Sequence, residues 1–244
     1  MARSATQRTA GRRPAATRLV LAGAVVYLLE WVAIIGAGID FPVPPGTASS
    51  EVMSHYLGHA DAAGFAAGWF ALVLLGRMVL MIGIARSVAG APRAVAALRL
   101  AVAAMALSVA LEVVAYGLGA AAAEVAPSGA AGVVALNGAA WVLSNLVLAP
   151  AGVSVLCAVV GMWRSTMYPR LLQVPGVVAG LLLASAGLVM APRLSGALTG
   201  LAQIGPLPMW IWMVWSGVVA WRGTRQAGQP SVVAAEHTPD AVGV

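Results

Sequence analysis

The chain has 244 residues, of which 61% are hydrophobic and only 9% charged, with a formal net charge of +6. A soluble domain carries about a quarter charged residues to hydrate its surface, so lipid must be the solvent for most of this exterior. The arginines collect at the ends of apolar runs and do not interleave with aromatics on a polar face, which excludes a nucleic-acid partner.

Residues 1–18 carry Arg3, Arg8, Arg12, Arg13 and Arg18 and no acid, and read as a disordered basic cytoplasmic arm. A first span follows over 19–39, with Glu30 as its only charge. At about 1.5 Å per residue it matches a hydrocarbon core of about 30 Å. A cleavable signal peptide has a shorter, uncharged apolar core, so the sequence predicts a retained helix.

Residues 40–62 are polar for this chain. Asp40 and a Pro-rich turn, Phe41-Pro42-Val43-Pro44-Pro45-Gly46, precede a short helix capped by Ser49 or Ser50 that carries Glu51, His55 and His59. The second span is expected over 63–87, holding Arg77, and the third over 95–122, holding Arg99 and Glu112.

The turn Glu124-Val125-Ala126-Pro127-Ser128-Gly129 leads to a long fourth run over 131–162. It contains the lone cysteine, Cys157, and should kink at Pro150. The fifth span is expected over 171–191. A sixth, over 206–221, follows a moderately apolar stretch, 194–205, that is either interfacial or part of that span. Residues 223–244 read as a disordered cytoplasmic tail.

The fold class is therefore all-α, a polytopic transmembrane bundle of six spans occupying residues 19–222. Arginine sets its orientation, because short loops rich in Lys and Arg stay in the cytoplasm. With the N-terminus inside, eleven arginines fall in inner segments and Arg193 alone in an outer loop, with Arg77 and Arg99 within spans. This gives a bacterial cytoplasmic (inner) membrane protein with both termini cytoplasmic. Trp163 and Trp221 are expected at the inner interface and Trp210 at the outer. Small-xxx-small pairs at Gly64/Gly68, Gly176/Gly180 and Gly196/Gly200 suit close helix approach.

Charges inside a bilayer each cost about 2.5–3.5 kcal/mol or more when unpaired. Glu30 and Arg77 lie about 10–11 residues from the inner ends of their spans, so they reach similar depth and are expected to form an ion pair. Its role is either to fix helix packing or to serve as a relay or substrate-facing pair. Glu112 lies further toward the outer leaflet. A protonated Glu112 hydrogen-bonded to Asn137, with Asn145 one to two turns deeper, would satisfy both groups; a proton or cation site is the functional alternative.

Glu51, His55 and His59 at spacing four would share one helical face, a geometry that zinc accepts; solvated imidazoles on an interfacial helix are the plainer reading. There is no lysine, which excludes retinal pigments, lysine nucleophiles and P-loop NTPases. No histidine lies within a span, which argues against a bis-histidine haem and an intramembrane serine protease.

Three stretches carry a resemblance: Gly23-Ala24-Val25-Val26-Tyr27-Leu28-Leu29-Glu30, Tyr168-Pro169-Arg170-Leu171-Leu172, and Pro208-Met209-Trp210-Ile211-Trp212 through Trp221-Arg222-Gly223. They are similar to the first, fifth and last helices of multi-pass membrane proteins of actinobacteria grouped as a domain of unknown function. The resemblance implies a six- or seven-helix bundle and assigns no activity. On function, the residues point to a non-enzymatic transporter-like, sensor or partner-binding bundle, with the lipid bilayer and a second copy or membrane protein as partners. The alternatives are a membrane-embedded enzyme using His55, His59 and Glu51, or a structural subunit. Two sets of three helices would run in opposite directions, as an inverted repeat needs.

Overall fold

The computed structural model describes residues 3–37, 42–88, 92–163, 165, 167–189, 204 and 206–227. Asp40, Arg164, Arg193, the stretch 194–203, the Gly196/Gly200 pair and the tail beyond 227 lie outside the described residues. The described residues are mostly helical, with no strand among them. The helices are α1 (Arg3–Leu28), α2 (Glu30–Ala37), α3 (Ser49–Tyr56), α4 (Ala60–Val73), α5 (Leu75–Ser87), α6 (Pro92–Val125), α7 (Ala130–Leu146), α8 (Leu148–Met162), α9 (Arg170–Val189) and α10 (Pro206–Ala227).

Joined end to end, they make five rods long and apolar enough to cross a membrane: Ala15–Gly36, Ala60–Ser87, Pro92–Ser128, Ala130–Met162 and Arg170–Leu188. α10 is a sixth rod. Large apolar side chains point outward all round them, Leu107, Leu181 and Leu188 being 55%, 57% and 72% exposed. An apolar exterior of this kind suits lipid and not water.

Two details depart from expectation. α1 begins at Arg3, so the basic arm continues the first rod as helix; Ala and Arg, the commonest residues in it, are strong helix formers. Ser49 and Ser50 lie inside α3, whose N-cap is Ala48.

Each rod packs against its neighbours in sequence, and α10 also packs against α1, closing a ring. Contacts fix the directions. Gly23 lies against Leu80 and Gly83 against Val20; Ser154 Oγ donates to the Ala101 carbonyl and Ser108 Oγ to that of Val147; Gly217 meets Ala24 while Trp210 meets Tyr27. Each pair is antiparallel, so the start of α1 and the end of α10 lie at one end of the ring. Arg86, Arg93 and Arg170 are at that end as well. A two-fold axis in the membrane plane would reverse the sense of travel round the ring. Here the second three rods continue in the same sense as the first three, so the ring is not an inverted repeat.

Two pairs are joined through glycine. A Cβ on Gly76 would stand 2.6 Å from both the Gly23 carbonyl oxygen and the Tyr27 nitrogen, and one on Gly152 would stand 2.6 Å from the Gly180 carbonyl oxygen. Gly83 and Gly187, each seven residues on, extend the contacts toward Val20 and Ala149. Seven residues are close to two helical turns, which keeps both glycines of each helix on one face. Of the expected small-residue pairs, Gly180 belongs to this seam and Gly176 lies under the Trp212 ring, while Gly64 and Gly68 face open space.

Three rods are interrupted, at Leu29, Leu74 and Val147. The interruption at Val147 lies three residues before Pro150, the expected site of the kink; proline has no N–H to offer the carbonyl four residues back, that of Leu146. At Leu29 and Leu74 the chain tightens, with Val32 N–H bonding Leu29 and Arg77 N–H bonding Leu74, three residues back. The register of the α1–α5 contacts sets these two breaks opposite each other.

Gly76→Ala should lower the unfolding temperature of the purified protein, since insertion into a filled contact costs about 1–3 kcal/mol. Gly68→Ala, with no neighbour to meet, should leave it unchanged or raise it. Thermal unfolding of both variants in one detergent checks the contrast.

Candidate functional site

Among the described residues, the charged side chains inside the ring gather at one level. There Arg77, 6% exposed, projects from α5 toward carboxylates on two other rods. Its Nη1 donates to Glu112 Oε2 at 2.5 Å and its Nη2 to Glu112 Oε1 at 3.3 Å, a two-pronged grip. Glu30 Oε2 stands 3.8 Å from Nη2. The expected Glu30–Arg77 approach is therefore present, but Glu112 is the nearer partner.

Tyr27 ties the group together. Its hydroxyl accepts from Arg77 Nη2 at 2.6 Å and from the Trp210 indole at 2.9 Å, and its ring lies 4.3 Å under the guanidinium. Trp210 therefore faces inward, where the sequence placed it in an interfacial belt. Trp31 meets it edge to face at 4.6 Å. The Trp69 indole donates to the Leu29 carbonyl at 2.7 Å, at the interrupted turn beside Glu30.

Beside these groups lies a cavity of about 210 Å³. All six rods line it: Tyr27 and Glu30, Phe70 and Arg77, Glu112 and Tyr116, Ser144, Leu183, and Trp210. Phe70 and Tyr116 stack at 4.0 Å on its wall. Two atoms of the cluster, Glu30 Oε1 and Arg77 Nε, are buried without a hydrogen-bond partner among the described residues. Two carboxylates and one guanidinium leave the group one negative charge in excess when all are ionised.

The expected Glu112–Asn137 bond does not form. The α6–α8 contacts pair residues whose numbers sum to 255, so Asn137 lies level with residue 118, about 9 Å from Glu112 along the bundle. Asn137 instead clamps the segment before α3. Its Oδ1 accepts from the Val43 N–H at 2.9 Å and the Tyr56 hydroxyl at 2.8 Å, and its Nδ2 donates to the Val43 carbonyl at 2.9 Å. Asn145 turns back on its own helix and donates to the Trp141 carbonyl at 2.7 Å. Arg99 is exposed, as a snorkelling side chain would be.

Glu51, His55 and His59 do not share a helical face. α3 ends at Tyr56 because Gly58, at φ +80°, turns the chain, and His59 becomes the N-cap of α4. Among the described residues no three His, Cys, Asp or Glu side chains come together to hold a metal ion.

Sequence reasoning overlooked Tyr27, Phe70, Tyr116, Ser144 and Trp210. A signal was available for three of them: Tyr27 precedes Glu30 by three residues, Tyr116 follows Glu112 by four, and Phe70 precedes Arg77 by seven. These spacings place each aromatic on the face of its charged residue. The chain matches no protein-family model, no curated protein and no solved structure.

Burial pushes the Tyr56 phenol up to about 12 from its ordinary value of about 10. A raised phenol favours folding while protonated, so its contribution is intact below pH 10 and is lost as pH rises from 10 to 12. Unfolding temperatures across that window should fall further for the wild type than for Tyr56→Phe, which has no proton to lose. At neutral pH Asn137→Ala should cost about 3 kcal/mol, because it strands the Val43 amide and the Tyr56 hydroxyl.

Proposed function

We propose that the chain crosses a bacterial cytoplasmic membrane six times, with α10 as the sixth span and both termini in the cytoplasm, and that it is a non-enzymatic binding bundle of the transporter or sensor kind. The basic residues gathered at one end support this orientation, and the even number of antiparallel rods supports termini on one side. One observation carries the functional reading: the buried charges line a cavity instead of facing only one another. An ion pair that served packing alone would have its polar atoms satisfied by its partners. Here Glu30 Oε1 and Arg77 Nε are left over beside space large enough for several waters.

The three interruptions fit the same purpose. Leu29 immediately precedes Glu30, Leu74 comes three residues before Arg77, and Val147 is itself a lining residue. A tightened turn inside a helix is a common hinge. The two at Leu29 and Leu74, facing each other beside the cavity, are arranged so that its walls can move.

Replacing Cys157 by serine removes the native thiol, and single cysteines then report where water reaches. Ser144→Cys, in the cavity wall, should react with a water-soluble cationic thiol reagent at least tenfold faster than Leu107→Cys on the apolar exterior. Equal rates for the two would mean that the cavity is dry and the charges structural. In intact cells the same impermeant reagent should reach Ser54→Cys, in α3, and not Ala96→Cys, near the start of α6.

A further inference from the structure

We propose that the cavity recognises a small organic ammonium cation, its charged nitrogen against Glu30 Oε1 and its carbon substituents against the aromatic and aliphatic wall. The inference rests on the cavity reading above and adds the class of ligand.

Charge decides the sign. Glu112 grips Arg77 with both oxygens, so the guanidinium is largely neutralised within that pair. Glu30 stands further off, at 3.8 Å, and it alone keeps a buried oxygen without a partner. The uncompensated charge of the site is therefore negative and lies on Glu30, which is 4% exposed. An anion entering here would meet two carboxylates around an arginine engaged through both Nη atoms, with Nε alone left over, and a cation would meet the excess charge.

Chemistry of the wall decides the kind of cation. Sodium, magnesium and calcium shed water only for a shell of several oxygens. Beside Glu30 the lining offers few: the Tyr27 hydroxyl already accepts two hydrogen bonds, and much of the remaining surface is hydrocarbon from Phe70, Val147, Leu148, Leu183 and Met209. Aromatic rings and one carboxylate are the combination that binds alkylated ammonium groups, since the ring quadrupole attracts a cation whose shell is carbon. Tyr27, Phe70, Tyr116 and Trp210 supply such rings from four different rods. The volume of about 210 Å³ sets the size. It is room for about seven waters, which suits an amine bearing a few small alkyl groups and not a lipid or a peptide.

Trp31 and Trp210 give the site its own reporter, because they touch each other and Trp210 lines the cavity. Purified full-length protein should change its tryptophan fluorescence saturably with tetramethylammonium or choline, and both should raise its unfolding temperature as ligands of the native state do. Sodium chloride and sodium isobutyrate at the same ionic strength should do neither. Glu30→Gln should weaken the response at least tenfold and Glu30→Asp should retain part of it. Trp210→Phe, read by unfolding temperature, keeps a ring and should bind, while Trp210→Leu should bind more weakly, which tests the site even if Glu30→Gln fails to fold.

A response to isobutyrate and not to the ammonium ions would overturn the proposal, as would an ammonium response unchanged by Glu30→Gln. So would no response to any probe. In that last case fast labelling of Ser144→Cys in the same preparation would leave the cavity reading standing, and slow labelling would remove both.

Discussion

Arg77 is buried inside the ring, where a guanidinium has no bulk water and cannot lose its proton. A charge in that position must be met by the protein, and Glu112, Tyr27 and Glu30 meet it from two other rods. The first three spans are thereby held to a common depth, since none can slide along its axis without parting a buried charge from its partner. Removing one side of a buried pair typically costs about 3–5 kcal/mol. Packing between apolar helices in lipid has no comparable directional term, so this contact gives the bundle its vertical register. The glycine seams set lateral distance: where Gly23 meets Gly76 and Gly152 meets Gly180, backbone touches backbone.

The second half of the ring is registered by weaker means. Ser154 and Ser108 each donate to a carbonyl across the α6–α8 seam, at 2.6 and 3.1 Å, and Gln173 Nε2 reaches the Met162 carbonyl at 3.4 Å. These neutral bonds fix neighbouring rods without placing charge in the core. The interior charges are thus confined to the first three rods, and the later rods contribute cavity wall: Ser144, Leu183, Met209 and Trp210. One side of the cavity is polar and preorganised, and the other is mostly apolar.

Much of this could be read from the residues. Span ends follow from hydropathy, and the structure sets them within a few residues of where apolar runs meet arginine or proline; Pro206 begins α10 where the sequence put the start of a sixth span. The depth argument also brought Glu30 to Arg77. It failed for Glu112 and Asn137 because each was measured from a different loop end, and an offset of six residues on one rod is enough to separate two side chains. The rotation of each helix was harder to read. In a chain with apolar residues on every side the hydrophobic pattern gives no inward face, so Trp210 looked like a belt residue, and only its hydrogen bond to Tyr27 shows that it turns inward. The His55–His59 spacing was misleading for a local reason: helical periodicity was carried across Gly58, whose positive φ ends it.

The order of rods round the ring has a consequence for how such a chain is built. Because each rod lies beside the one made just before it, the partners of a newly inserted helix are already in place, and no long-range search through the bilayer is needed. α10 differs in having two waiting neighbours, α9 and α1, one of them the oldest part of the bundle. Its arrival converts an open row of helices into a closed one. The same event brings Trp210 to Tyr27 and Met209 to the cavity wall. The cavity is thus completed late in biogenesis, and only once α10 has been made and seated.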